Sequence, residues 1–142
     1  MSKQSKRPER DQKRKTLELT EAEWAIMKVV WDKQPCAAGT VQEELADEKG
    51  WAYSTVKTTM DRMVQKGLLG IKRIRNLQLF SAKVSRSGAR KGEFRRMLSR
   101  AFDGALGPMM QYLVENEKLT DEDVRKLREL VKKADDAKEE QS

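Results

Sequence analysis

The chain has 142 residues, with 30 Lys and Arg against 23 Asp and Glu, a net charge of +7 and 37% apolar residues; that length fits one ordinary domain or two small ones and excludes a large multidomain enzyme. No apolar run approaches the roughly 18 residues a bilayer-spanning helix requires, and the basic N-terminus lacks the apolar stretch of a secretory signal, so a cytoplasmic chain without membrane insertion is expected. A lone Cys36 cannot form an internal disulfide, and the absence of histidine removes the usual catalytic base and the commonest metal ligand, so no enzyme, metal or cofactor is expected.

The charge is unevenly distributed. Residues 17–50 carry three basic and eight acidic side chains, whereas residues 51–100 carry thirteen and two. So lopsided a middle third is what a surface facing a polyanion would show. Residues 1–16 hold seven basic and two acidic groups and one apolar side chain, Met1. Such a segment cannot offset its ordering entropy and reads as a disordered basic arm, either following a phosphate backbone or minor groove or aiding solubility.

The first predicted helix is announced by Leu19-Thr20-Glu21-Ala22-Glu23-Trp24. Thr20 caps it, Glu23 returns to the cap N–H, and Leu19 with Trp24 forms a hydrophobic staple. Trp24, Met27, Val30 and Trp31 give one apolar face through about Lys33, and Pro35 stops the helix. At this spacing the two tryptophans read as buried rather than as a base-stacking platform. After a Pro35-Cys36 turn, Val41, Leu45 and Ala46 mark a short second helix ending at Gly50. Cys36 reads as a small hydrophobe.

A third helix is expected from Ser54 as N-cap to Gly67, with Val56, Met60, Met63 and Val64 inward. Its outward face shows Thr55, Lys57, Thr58, Arg62 and Lys66. Short hydroxyls near the start can approach a groove floor, and the cations farther along can neutralise phosphates. Two strands follow, Leu69–Ile74 and Leu77–Ala82, joined at Arg75-Asn76, where Asn76 tolerates the positive φ of a two-residue turn. The tip carries Lys72, Arg73 and Arg75. Three helices and a basic hairpin in this order make a winged helix-turn-helix that suits double-stranded DNA, with Arg73 or Arg75 reaching an adjacent phosphate or the minor groove.

From Ser85 a basic helix carries Phe94, Met97, Leu98, Ala101 and Phe102, and Gly104, Gly107 and Pro108 mark a break. Met109, Met110, Leu113 and Val114 form a short helix, and Leu119 to Val124 repeats the cap-and-staple device before a last helix to about Ala134. Thin amphipathic helices of this kind cannot enclose a core alone, so they are expected to pack against a second copy. The dimerisation residues are then Phe94, Leu98, Phe102, Met109, Leu113, Val124, Leu127, Leu130 and Val131. The expected class is mostly α with a small β-hairpin: a basic arm over 1–16, a winged helix-turn-helix over 17–84, a helical dimerisation domain over 85–134 and a disordered tail over 135–142.

Leu19 to Trp24 with Met27 and Trp31, Trp51 before Ser54-Thr55-Val56-Lys57-Thr58, Lys66-Gly67-Leu68, Phe102 and Gly104, Leu113-Val114, and Leu119-Thr120 before Leu127 and Leu130 together resemble the BlaI/MecI penicillinase-repressor family of bacterial transcriptional regulators, over about residues 17–134. The resemblance implies a homodimeric repressor on a palindromic operator, with Thr55, Lys57 and Thr58 at base- and backbone-contacting positions, relieved in well-known members by a regulatory protease that cuts at an Asn-Phe pair. The matching stretch here reads Gln111-Tyr112-Leu113. Copper-responsive relatives carry a C-terminal cysteine cluster, absent from this chain. Arg62, Lys66, Arg73 and Arg75 are assigned to phosphates from charge and geometry. The competing reading is an architectural DNA- or RNA-binding protein without sequence choice, which has no need of hydroxyls clustered in one helical turn; a winged helix that binds only protein leaves the basic block unexplained. On the first reading Lys57→Ala costs roughly 1 to 3 kcal/mol of binding and relaxes sequence preference, whereas Lys66→Ala weakens all sequences alike; equal losses on operator and random duplex for both variants would overturn the assignment.

Overall fold

A computed structural model describes residues 18–141; the basic arm expected over 1–16 lies outside the described residues. The elements are α1 (Glu21–Lys33), α2 (Ala38–Lys49), α3 (Tyr53–Gln65), β1 (Leu69–Ile74), β2 (Leu77–Ala82), α4 (Arg86–Phe102), α5 (Leu106–Asn116) and α6 (Asp121–Gln141). The chain is thus mostly helical with one two-stranded antiparallel hairpin. It divides into two compact units between Arg96 and Met97, twelve residues later than the break expected after Val84, because Ala89 in the first turns of α4 is fully buried with the core of the first unit.

In the first unit α1 starts as its sequence dictates. The Glu23 N–H donates to Thr20 Oγ1 at 3.2 Å and the Thr20 N–H donates to Glu23 Oε1 at 2.9 Å, a reciprocal cap that satisfies two of the helix's orphan donors. Ile26, Met27 and Val30 are fully buried, while Trp24 and Trp31 are half-buried and meet edge to face at 6.0 Å. On α2, Val41 and Leu45 are buried but Ala46 is exposed; Ala38 fills the stripe instead, one turn before Val41. Gly50 ends α2 in the left-handed region at φ 63°, where a Cβ would be strained.

The hairpin pairs Leu69 with Ala82 through Ile74 with Leu77. The left-handed φ of its turn falls on Arg75, at 57°, and not on Asn76. Cys36 adds a third-strand bridge: its N–H donates to the Phe80 carbonyl at 3.0 Å and the Phe80 N–H donates to the Cys36 carbonyl at 2.7 Å. Burial pushes the Cys36 thiol up, which suits a small core hydrophobe. The end of α1 holds the base of the hairpin, for the Ala82 N–H donates to Gln34 Oε1 at 2.8 Å and Trp31 Nε1 donates to the Val84 carbonyl at 3.0 Å.

The second unit is built differently. Asp103 and Gly104, at φ 51° and 80°, break α4 from α5. Gly107 and Pro108 fall inside the first turn of α5 rather than in the break, where a proline's missing N–H costs nothing. Thr120 and Asp123 cap α6 reciprocally at 3.0 and 3.1 Å. That helix continues to Gln141, through the segment expected to be a disordered tail, because nothing from Asp135 onward breaks a helix and Ala, Lys and Glu favour one. No described residue from 97 to 141 is buried.

One contact links the start of α1 to the end of α3. The Glu23 side chain is 4% exposed, and Lys66 Nζ donates to its Oε2 at 2.8 Å. Burial would raise the Glu23 carboxyl, but the Lys66 ammonium and the Thr20 groups outweigh it and hold the carboxyl below its ordinary value. A depressed carboxyl stabilises the fold fully above its unfolded pKa and ceases to do so as pH falls through its folded pKa. The advantage of the wild type over Glu23→Gln in urea unfolding is therefore expected to be full near neutral pH and to close in acid below the ordinary carboxylate range. Lys66→Ala, which strands the buried carboxylate, is expected to cost roughly 1 to 3 kcal/mol in the same measurement.

Candidate nucleic-acid interface

The orientation of α3 follows from its sequence. Val56, Met60 and Met63 recur at helical spacing and are fully buried, with Val64 packed beside them. Because helical side chains 100° apart cannot all face inward, the intervening positions form an outer face, on which Ser54, Thr55, Thr58, Arg62, Gln65 and Lys66 are exposed. The N-cap is Ala52, which makes no side-chain cap bond; Ser54, expected there, lies inside the first turn because Tyr53 is already helical. Its hydroxyl thus joins those of Thr55 and Thr58 on the exposed first turns.

The cations are not equivalent. Lys57 is half-buried; its Nζ donates to both carboxylate oxygens of Asp61, at 2.7 and 2.8 Å, and lies 5.9 Å from the centroid of the Phe80 ring. Lys66 spends its ammonium on Glu23, so both of these α3 lysines carry an intramolecular partner. Arg62 and, on the hairpin, Lys72, Arg73 and Arg75 are exposed. Lys57 on α3 reaches over Phe80 of β2, so the hairpin packs beside the helix. From Arg62 to Gly92 the sequence holds no acidic residue.

Three features escaped the sequence pattern. Tyr53, three positions before Val56, falls on the inward stripe, yet it is 52% exposed at the start of α3. Thr59 Oγ1 donates to the Thr55 carbonyl at 2.8 Å, so its hydroxyl belongs to the helix's own backbone. Ile74 and Leu77, read as ordinary strand residues, are each half-exposed at the hairpin tip.

Among the expected dimerisation residues, Phe94 lies in the first unit and is exposed. Leu98, Phe102, Met109, Leu113, Val124 and Leu127 are half-buried, and Leu130 and Val131 are exposed. Within the second unit Phe102 meets Tyr112 edge to face at 5.9 Å. Among the described residues no cluster of three or more His, Cys, Asp or Glu side chains could hold a metal ion, and no helix is long and apolar enough to cross a membrane.

The methicillin resistance regulatory protein MecI of Staphylococcus aureus (strain N315) is 25% identical over 119 residues, covering 84% of this chain and 97% of that protein. The penicillinase repressor of Bacillus licheniformis is 24% identical over 127 residues, covering 89% and 99%. The solution structure of the Bacillus licheniformis BlaI monomeric form in complex with the blaP half-operator matches at a TM-score of 0.45 and 24% identity, over 50% of this chain and 87% of that one. The penicillinase repressor family model matches residues 19–133, and the chain belongs to that family, whose members are DNA-binding repressors of transcription.

Proposed function

We propose that the chain is a homodimeric repressor that reads a palindromic operator through the outer face of α3 while the hairpin braces the flanking backbone. The observation that carries the DNA-reading part is the exposed face of Ser54, Thr55, Thr58 and Arg62 beside the cationic hairpin. Short hydroxyls allow close approach to base edges in the major groove, and the longer cations suit phosphates. Arg62, Arg73 and Arg75 are the stronger phosphate contacts, because Lys66 can leave Glu23 only by stranding a buried carboxylate. Lys57 reads or steers through its Asp61 partner, which fixes the position of its ammonium.

The dimer rests on the second unit. A unit made of the end of α4 with α5 and α6, without one buried residue among those described, has too little enclosed apolar surface to offset its ordering entropy. Leu106, Met110, Val114, Leu130 and Val131 remain exposed at 47 to 61%, and a symmetric partner would cover such surface with the same surface. Proteolytic release, which the family resemblance implies, would need a site other than an Asn-Phe pair, since the matching stretch Gln111-Tyr112-Leu113 in α5 lacks one.

Sedimentation equilibrium at micromolar concentration is expected to give a dimer, and a monomer would refute that part. Footprinting on the chain's own upstream region is expected to protect an inverted repeat with half-sites about 10 base pairs, or a multiple, apart. Binding that random duplex competes away as well as the protected site would instead favour an architectural protein. Arg62→Ala is expected to weaken every duplex alike and to lower the salt slope by about one. Lys66→Ala, by contrast, should lose affinity only together with folding stability.

A further inference from the structure

The stretch from Lys49 to Gly92 holds eleven Lys and Arg and a single acid, Asp61. Positions 54, 58, 61 and 65 of α3 recur at helical spacing, so Asp61 shares the face of the exposed Ser54, Thr58 and Gln65 and not the buried stripe of Val56, Met60 and Met63. Its side chain is 45% exposed. A lone carboxylate on a surface read as facing phosphates opposes binding by its own charge, and its partner gives the reason for it. Both carboxylate oxygens accept from Lys57 Nζ, at 2.7 and 2.8 Å. Those bonds occupy two of the three donors of the ammonium and leave one.

We infer that Asp61 is a specificity-determining residue, which withholds Lys57 from the phosphates that every duplex offers and leaves it one donor for a base-edge acceptor that only certain sequences place within reach. This rests on the reading of α3 as the DNA-facing helix. A free ammonium on a phosphate releases about one counterion, whereas an ammonium already neutralised by a carboxylate releases none. The pair therefore lowers affinity for random duplex. A guanine O6 or N7 in line with the remaining N–H keeps its value, because that bond does not require Asp61 to let go. Lys66 is held in a different way. Its partner Glu23 is 4% exposed and caps α1, so that pair belongs to the fold. The Lys57–Asp61 pair lies within one helix at i, i+4 spacing, and its charge can be removed without opening the core.

The test uses the full chain, a duplex it enriches from a random-sequence pool and a random duplex of equal length, with affinity followed against salt. Asp61→Asn keeps the shape and removes the charge. It is expected to bind the random duplex about tenfold more tightly with a salt slope steeper by about one, and to gain at most about twofold on the enriched duplex, so that discrimination falls about fivefold or more. The gain is expected to need the ammonium: in a Lys57→Met background, Asp61→Asn should change random-duplex affinity by at most about twofold and leave the slope as it was. An equal gain with and without Lys57 is the signature of plain charge repulsion and would overturn the inference. A loss confined to the enriched duplex, with the random duplex unmoved, would assign the carboxylate to a base contact and overturn it as well. Should Asp61→Asn not fold, Asp61→Ser is read in the same way. If the wild type binds enriched and random duplex alike, the DNA-reading role falls first and this inference with it. If it discriminates and Asp61→Asn alters neither the ratio nor the slope, this inference alone falls.

Discussion

The complete burial of Val56, Met60 and Met63 is the constraint from which the rest of the first unit follows. These three side chains lock the rotation of α3 about its axis, because turning any of them outward would expose apolar surface and open a cavity in a core that also holds Ile26, Met27 and Phe80. Once that rotation is fixed, Thr55, Thr58 and Arg62 have no choice but the outer face. The presentation of the hydroxyls and the guanidinium is therefore a by-product of hydrophobic packing, held without any polar contact of their own to orient the helix.

Two smaller devices fix where the helix sits. Glu23 does double duty, capping α1 through Thr20 and receiving Lys66 from the end of α3. A buried carboxylate with so few partners is costly to disturb, so the ends of the two helices are tied by a geometry that tolerates little drift. At the other side, Gln34, just after α1, bonds Ala82 at the end of β2, Trp31 of α1 bonds Val84 beyond it, and Cys36 extends the hairpin by one bridge. The hairpin is consequently anchored at its base and projects its tip, where Lys72, Arg73, Ile74, Arg75 and Leu77 gather.

The second unit follows another logic. Its last helix is reciprocally capped, yet no described residue from 97 to 141 is buried; Leu113, Val124 and Leu127 are half-buried, and Leu130 and Val131 are exposed. In the proposed dimer, stability in such a segment would come from association, and its folding would be linked to protomer concentration. On that proposal, paired copies would double the duplex contacts of α3 through one symmetry axis.

Much of this was legible in the residues alone. Local chemistry determined α1, with its Thr20–Glu23 cap, both strands to the residue, the starts of α4 and α6, and the inward stripe of α3, because caps, periodicity and turn residues act over a few positions and need no distant partner. The shape of the polar site was not legible in the same way. The engagement of Lys66 by Glu23 spans 43 residues, and the pairing of Cys36 with Phe80 spans a comparable distance. Whether Tyr53 is core or surface depends on where the start of a helix stands relative to its neighbours. The helical end of the chain also exceeded its reading, since the lack of a strong apolar stripe after Ala134 hid a segment that intrinsic propensity carries to Gln141. Sequence periodicity determined which side chains point together; only the tertiary structure decided which cations remain available to a partner, because a charge is claimed by whatever opposite charge the folded chain brings within reach.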